Sequence, residues 1–456
     1  MIVLRLKYQA LTYIFLCCMS FLFLSSCSNS DYQNAIPGNV TALVKFDARL
    51  MSSDKVSSVV SSVLSVDDAD NIGVDFTNDL FAFETIDGNI GFCAKVRKSK
   101  DITNFFERQS ANGKCSKPRK QGDFYLTDLN ASWAVGYSDN AFLILGPVSP
   151  SAIGDAQRSI VKWLKQDIER SVVSKPIFGR LDSLKSAVGM VAQLQALPEK
   201  FVAPFALGVP KGVDNSQIML SAKLSINDNL LVVDGETFST TPSIDNQLKS
   251  AKDIFRPIAG TFTNMMPQNY MFGMFMNVDG TKFLPILQNN KPLQAMLAGL
   301  NTAIDFDNIL RSVNGDLAIM TSSFASSGLD MSMFAKLGHA NWTSDVEYWK
   351  QSCPAGSSLS GNDREWHYVS GSTDFCFGLF GDNEFYGTTN RALNPNIVGR
   401  KPIVHISDAL QKAISDKRMV MVVNVPSIMG VDVVPDGMEK LTSVFGDVKS
   451  IMISIH

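Results

Sequence analysis

The residues whose pattern implies the most definite chemistry are Leu24-Ser25-Ser26-Cys27, an aliphatic residue and two small ones before a cysteine. A lipoprotein signal peptidase needs that pattern, because small side chains let an extended chain lie beside a bulky diacylglyceryl thioether. Arg5 and Lys7 precede it as a positive n-region, and an apolar stretch runs from Ala10 to Leu24. That stretch is shorter than the ~20 residues of a membrane-spanning helix and has the layout of a secretory signal. Residues 1–26 therefore read as a signal peptide, Cys27 as the lipidated first mature residue and 27–36 as a polar tether. Two acyl chains hold a protein on a bilayer where one does not. Ser28 follows the cysteine where an Asp would favour inner-membrane retention. The expected location is the cell outer membrane, facing periplasm or exterior.

Catalytic patterns are scarcer. The chain has no G-x-S-x-G, H-E-x-x-H, G-x-x-x-x-G-K-[ST] or G-x-G-x-x-G. Ser159-Ile160-Val161-Lys162 and Ser52-Ser53-Asp54-Lys55 fit S-x-x-K, but no S-D-N or K-T-G accompanies them. The first lies on the surface side of an amphipathic helix and the second reads as a helix start. His339, His367, His405 and His456 are scattered without the spacing of a zinc ligand set, so neither metal nor cofactor is expected. Besides Cys27, the exported part carries Cys93, Cys115, Cys353 and Cys376. Export favours disulfides, so Cys93–Cys115 and Cys353–Cys376 are the expected bridges. Four buried free thiols are the alternative, since free cysteine packs as a small hydrophobe.

Composition bounds the rest. With 45% apolar and 19% charged residues the 456-residue chain can bury real cores. A net charge of −3 gives no electrostatic case for nucleic acid.

The elements that must position any site come in a repeating order. Ile36-Pro37-Gly38-Asn39 and the apolar run to Phe46 recur as Met266-Pro267-Gln268-Asn269 and Phe272 to Met276. Val74-Asp75-Phe76-Thr77-Asn78 recurs as Ile304-Asp305-Phe306-Asp307-Asn308, and Asp87-Gly88-Asn89-Ile90 as Asn314-Gly315-Asp316-Leu317. Phe124-Tyr125 with Asp139-Asn140 recurs as His367-Tyr368 with Asp382-Asn383. Leu194 to Pro198 resembles Val422 to Pro426, and Ile218 to Ser221 resembles Ile451 to Ser454. The fold expected is α+β: two tandem repeats of a mainly antiparallel sheet with helices packed on one face, over 37–242 and 262–456, joined by a linker helix at 243–261. In that alignment His367 takes the slot of Phe124 and reads as a packing residue. The repeated acids Asp75, Asp305, Asp139 and Asp382 read as turn chemistry.

Within a copy, Val40 to Phe46, Leu80 to Thr85 and Ile90 to Val96 read as strands, the last two joined by the tight turn Asp87-Gly88-Asn89. Phe124 to Leu126, Trp133 to Tyr137 and Ala141 to Leu145 follow as strands. Lys55 to Leu64 and Asp101 to Arg108 read as helices, and Ile160, Leu164, Ile168 and Val172 form an i,i+4 stripe on a third. Arg158, Lys162, Lys165 and Arg170 are its solvated face. Residues 262–276 concentrate methionine and phenylalanine, which suits a buried strand or an apolar binding surface.

The lipobox, the stretch Asp31-Tyr32-Gln33-Asn34-Ala35-Ile36-Pro37 and the strand ending at Asp47 together resemble the lipoproteins grouped as domain of unknown function 4836, common in gut-dwelling Gram-negative bacteria. The resemblance implies a location and an architecture and carries over no site residue. The expected function is a non-enzymatic, outer-membrane-anchored lipoprotein that binds a partner or scaffolds the envelope. Its contacts would be the membrane through the lipid on Cys27 and an envelope protein or apolar ligand. The alternative is a cell-envelope hydrolase with an unrecognised active site.

Overall fold

The computed structural model describes residues 31–455 except 65–71, 198–204, 206–208, 210–211, 228, 267–269, 290–302, 324–329, 372, 400, 402–407 and 430–447. Cys27, His405 and His456 lie outside the described residues. Among those described are twenty strands and eleven α-helices, and no helix is long and apolar enough to cross a membrane. The protein is a mixed α+β structure built on a large, mainly antiparallel sheet.

The chain divides into two compact units. The larger takes in residues 39–72, 76–92 and 175–456, the smaller 1–38, 73–75 and 93–174. These units cut across the boundaries expected from the repeats. The reason is a parallel pair inside the larger unit: β10 (Leu230–Phe238) lies along β20 (Ser450–Ile455), stitching strands of residues 37–242 to strands of residues 262–456.

In the larger unit, β1 (Ala42–Phe46) lies between β2 (Leu80–Glu84) and β8 (Val188–Gln193), and β9 (Met219–Asn227) joins β8 to β10. Beyond β20 come β19 (Met419–Asn424), β12 (Phe272–Asp279), β13 (Val313–Ser323) and β14 (Asp330–Leu337). Then follow β18 (Glu384–Thr388), β17 (Thr373–Phe380), β16 (Glu365–Ser370) and the edge strand β15 (Ser357–Asn362). The short β11 (Phe255–Arg256) sits beside the end of β12.

The smaller unit holds the end of β3 (Ile90–Lys95), against which β7 (Ala141–Gly146) pairs, then β6 (Trp133–Tyr137), β5 (Phe124–Leu129) and β4 (Arg119–Gln121). Gly88 takes φ +76° in the turn between β2 and β3, a conformation that glycine adopts without a steric penalty. The helix Ile153–Leu164 packs on β6, where a Cβ on Gly136 would meet the Ile160 methyl at 2.5 Å.

Three expectations need correction. Helices do not cover one face alone. In β12, Met274 and Met276 enter a core with helix Phe306–Arg311, whereas Phe275 enters another with Leu410 and Ile414 of helix Asp408–Ile414. Strands buried on both faces are apolar at nearly every position, which explains the methionine-rich run. Phe262, Met265, Met266, Met271, Met274, Phe275 and Met276 are all buried, so this segment is core. Second, the stripe from Ile160 to Val172 is not one helix. It stops at Leu164, and Asp167 caps a separate turn by accepting from the Arg170 N–H at 3.3 Å. Third, Asn314-Gly315-Asp316 is not a second hairpin turn but lies inside β13. The expected linker is a packed element as well, since helix Pro242–Lys252 buries Ile244 and Leu248.

Candidate functional site

Alternation along β16 and β17 separates their side chains by face. Trp366 and Tyr368, with Phe375 and Phe377, turn into the core shared with Trp342 and Phe385. That commitment sends His367, Asp374 and Cys376 to the opposite face. His367 pairs directly with Cys376 across the two strands, and Asp374 faces Val369 one step further along.

The three side chains converge. One possible ligand atom from each lies within 4.8 Å of the other two. His367 Nε2 is 2.6 Å from Asp374 Oδ1, a hydrogen bond that orients the ring, and Arg391 Nη1 stands 3.6 Å from the other carboxylate oxygen. Cys376 is buried, while His367 and Asp374 are half-buried. Beside Cys376, as its partner on β18, lies Thr388, itself buried and hydrogen-bonded to the Ser332 hydroxyl at 3.0 Å. Burial pushes the Cys376 thiol up, and the Asp374 carboxylate adds to the rise. A nucleophilic cysteine needs the opposite shift, so a cysteine–histidine hydrolase gains no support from this arrangement. Imidazole, carboxylate and thiol are, however, a donor set for a metal ion.

A family model described as domain of unknown function (DUF4836) matches residues 44–455. The chain belongs to this family. No curated protein matches the DUF4836 chain, and no solved structure matches it.

The remaining candidate residues are placed apart from this cluster. The expected disulfides Cys93–Cys115 and Cys353–Cys376 are absent, and all four cysteines are free thiols. Cys93 is buried with its sulfur toward the Tyr32 carbonyl, and Cys115 turns to the Phe106 carbonyl at 3.3 Å. Cys353 packs against the core beside Trp349, and Cys376 is committed to the face described above. Asp305 caps helix Phe306–Arg311 through the Asn308 N–H at 3.0 Å. Asp139 accepts from the Ser99 hydroxyl and Asp382 pairs with Arg364, both on exposed turns. Lys162 is exposed on its helix, and the Ser52 carbonyl accepts the Lys55 and Val56 N–H groups as the next helix begins. His339 is exposed.

A second polar group was not singled out by sequence. Lys45, on β1, is buried with its ammonium 3.3 Å from Asp182 and 3.8 Å from Asp47. Burial alone would raise Asp47, yet the Arg49 guanidinium and Lys45 hold it below the usual carboxylate range. Asp79 accepts the Ala48 N–H at 3.2 Å, and burial together with the nearby Asp47 charge pushes it up. This group ties the end of β1 to its neighbours. The His367 cluster did leave a trace in the sequence, because a tight turn at Gly371 sets His367 opposite Cys376 by counting outward.

Proposed function

We propose that this DUF4836 chain is a lipid-anchored protein of the cell outer membrane with a non-catalytic binding or scaffolding role, built from two tandem copies of one α+β unit, 37–242 and 262–456. The observation that carries the duplication is repeated register. Ala42 pairs with Glu84 on one side and Ala192 on the other, as Phe272 pairs with Thr321 and Val423. Ala192 then pairs with Leu220 and Val423 with Ile451, so one shift along the chain carries both partners onto their counterparts. The match of Glu84 with Thr321 likewise sets Asp79-Leu80 against Asp316-Leu317.

A structural use of Asp79 and Asp316, matched by this register, supports the non-catalytic reading. Asp79 accepts one backbone N–H, and Asp316 accepts those of Ala259 and Thr261 at 2.9 and 2.8 Å. The lipobox ending at Cys27 supports the anchor, and two related copies supply two related surfaces for an envelope protein or apolar ligand.

The test is fractionation of the full chain and its Cys27→Ala variant in a Gram-negative host. The wild type should sediment with outer membrane and carry acyl chains. The variant should be released or stay unprocessed. Unmodified variant in the membrane fraction with wild-type mobility would overturn the anchor. Crosslinking in intact cells before solubilisation would then capture the partner.

A further inference from the structure

We propose that His367, Asp374 and Cys376 form a binding site for a divalent cation of the zinc class. Thiolate, imidazole and carboxylate together suit zinc better than magnesium or calcium, which prefer oxygen ligands alone. Spacing agrees. At ordinary bond lengths a tetrahedral zinc holds its ligand atoms about 3.3–3.6 Å apart, and the three donors already lie within 4.8 Å of one another. The 2.6 Å contact between His367 and Asp374 must open to that spacing for both to ligate.

The donors stand on adjacent strands rather than on loops, which fixes their separation. His367 and Cys376 are cross-strand partners, and Thr388, the partner of Cys376 on the next strand, is hydrogen-bonded to Ser332 of the strand after it. Charge also balances. A zinc ion with one thiolate, one carboxylate and a neutral imidazole is neutral overall, and the thiol proton leaves to solvent on binding. Asp374 offers Oδ1 on the ligand side while Arg391 faces Oδ2. The part-exposed side of His367 and Asp374 leaves a fourth position for water.

Among the described residues this is the one group of three or more His, Cys, Asp or Glu side chains placed to hold a metal ion.

The test is titration of the purified mature chain with Zn2+ and Co2+, in a background carrying Cys115→Ser and Cys353→Ser. One ion should bind per chain, and Co2+ should show a thiolate charge-transfer band with the strong visible bands of four-coordinate cobalt. Cys376→Ser should abolish the charge-transfer band. His367→Gln and Asp374→Asn should each weaken binding about tenfold or more, and Arg391→Ala should tighten it. If Cys376→Ser does not fold, Zn2+ should still protect Cys376 of the wild type from alkylation, read by mass spectrometry. Absence of the band, its survival in folded Cys376→Ser, or alkylation of Cys376 undiminished by Zn2+ would each overturn the proposal.

Discussion

Where β5 turns into β6, Leu129 faces Trp133 as the last pair before the connection; where β16 turns into β17, three further pairs follow His367–Cys376. Both hairpins keep an apolar face. Tyr125 stacks on Tyr137, which stacks on Phe106, in one, and Phe375 stacks on Phe377 beside Trp342 in the other. The pairs beyond His367–Cys376 include Tyr368 with Phe375, both buried in the core, and Val369 with Asp374 on the opposite face. Alternation decides which of these residues pack and which stand beside His367 and Cys376.

That contrast can be broken at its packed faces first. Phe377→Ala removes a fully buried ring in contact with Trp342, Trp366, Phe375 and Phe385 and should cost about 3–5 kcal/mol in urea denaturation. A cost under about 1 kcal/mol would show that the second hairpin does not depend on its core face.

Next come Asp316 and Asp79, whose replacements should act with opposite sign. Asp316→Ala leaves the part-buried Ala259 and Thr261 N–H groups without this acceptor and should cost about 1–3 kcal/mol in all. Asp79→Asn keeps an acceptor for Ala48 and removes a charge that burial disfavours. A carboxyl raised in the folded state contributes stability below its unfolded value and loses it as pH rises through the folded one. Asp79→Asn should therefore gain on the wild type near neutral pH and lose that gain below the carboxylate range. Asp47 is lowered, so the sign reverses: Asp47→Asn should lose stability near neutral pH, with the difference vanishing as pH falls through the folded value. Denaturation curves at several pH values check both.

Smaller effects sharpen the first hairpin. Tyr137→Phe deletes a hydroxyl 2.9 Å from Thr103 and should cost about 1 kcal/mol, with the ring stack intact by near-ultraviolet circular dichroism. Arg158→Ala, on the exposed face of its helix, should change stability by less than about 0.5 kcal/mol. A larger loss would make that face something other than a solvated surface.

What the sequence by itself determined was local. The turn at Asp87-Gly88-Asn89, the alternating strands and the helix starting beyond Ser52 follow from turn chemistry, side-chain period and capping, all decided within a few residues. Composition left the methionine-rich run as either a buried strand or an apolar binding surface, and packing on both faces of β12 decided for the core. Tertiary structure alone decided which strands meet and in what register. A shift of a few residues moves every partner while leaving the local pattern unchanged. That is why Asn314-Gly315-Asp316 resembled a turn yet lies within β13, and why His367, expected as a packing residue in the slot of Phe124, stands instead beside Asp374 and Cys376. Thiols that sequence counting coupled stayed apart because each sulfur is aimed by its own strand or loop. The meeting of His367, Asp374 and Cys376 depended on the same register, because side chains distant along the chain become neighbours only when cross-strand pairing holds them there.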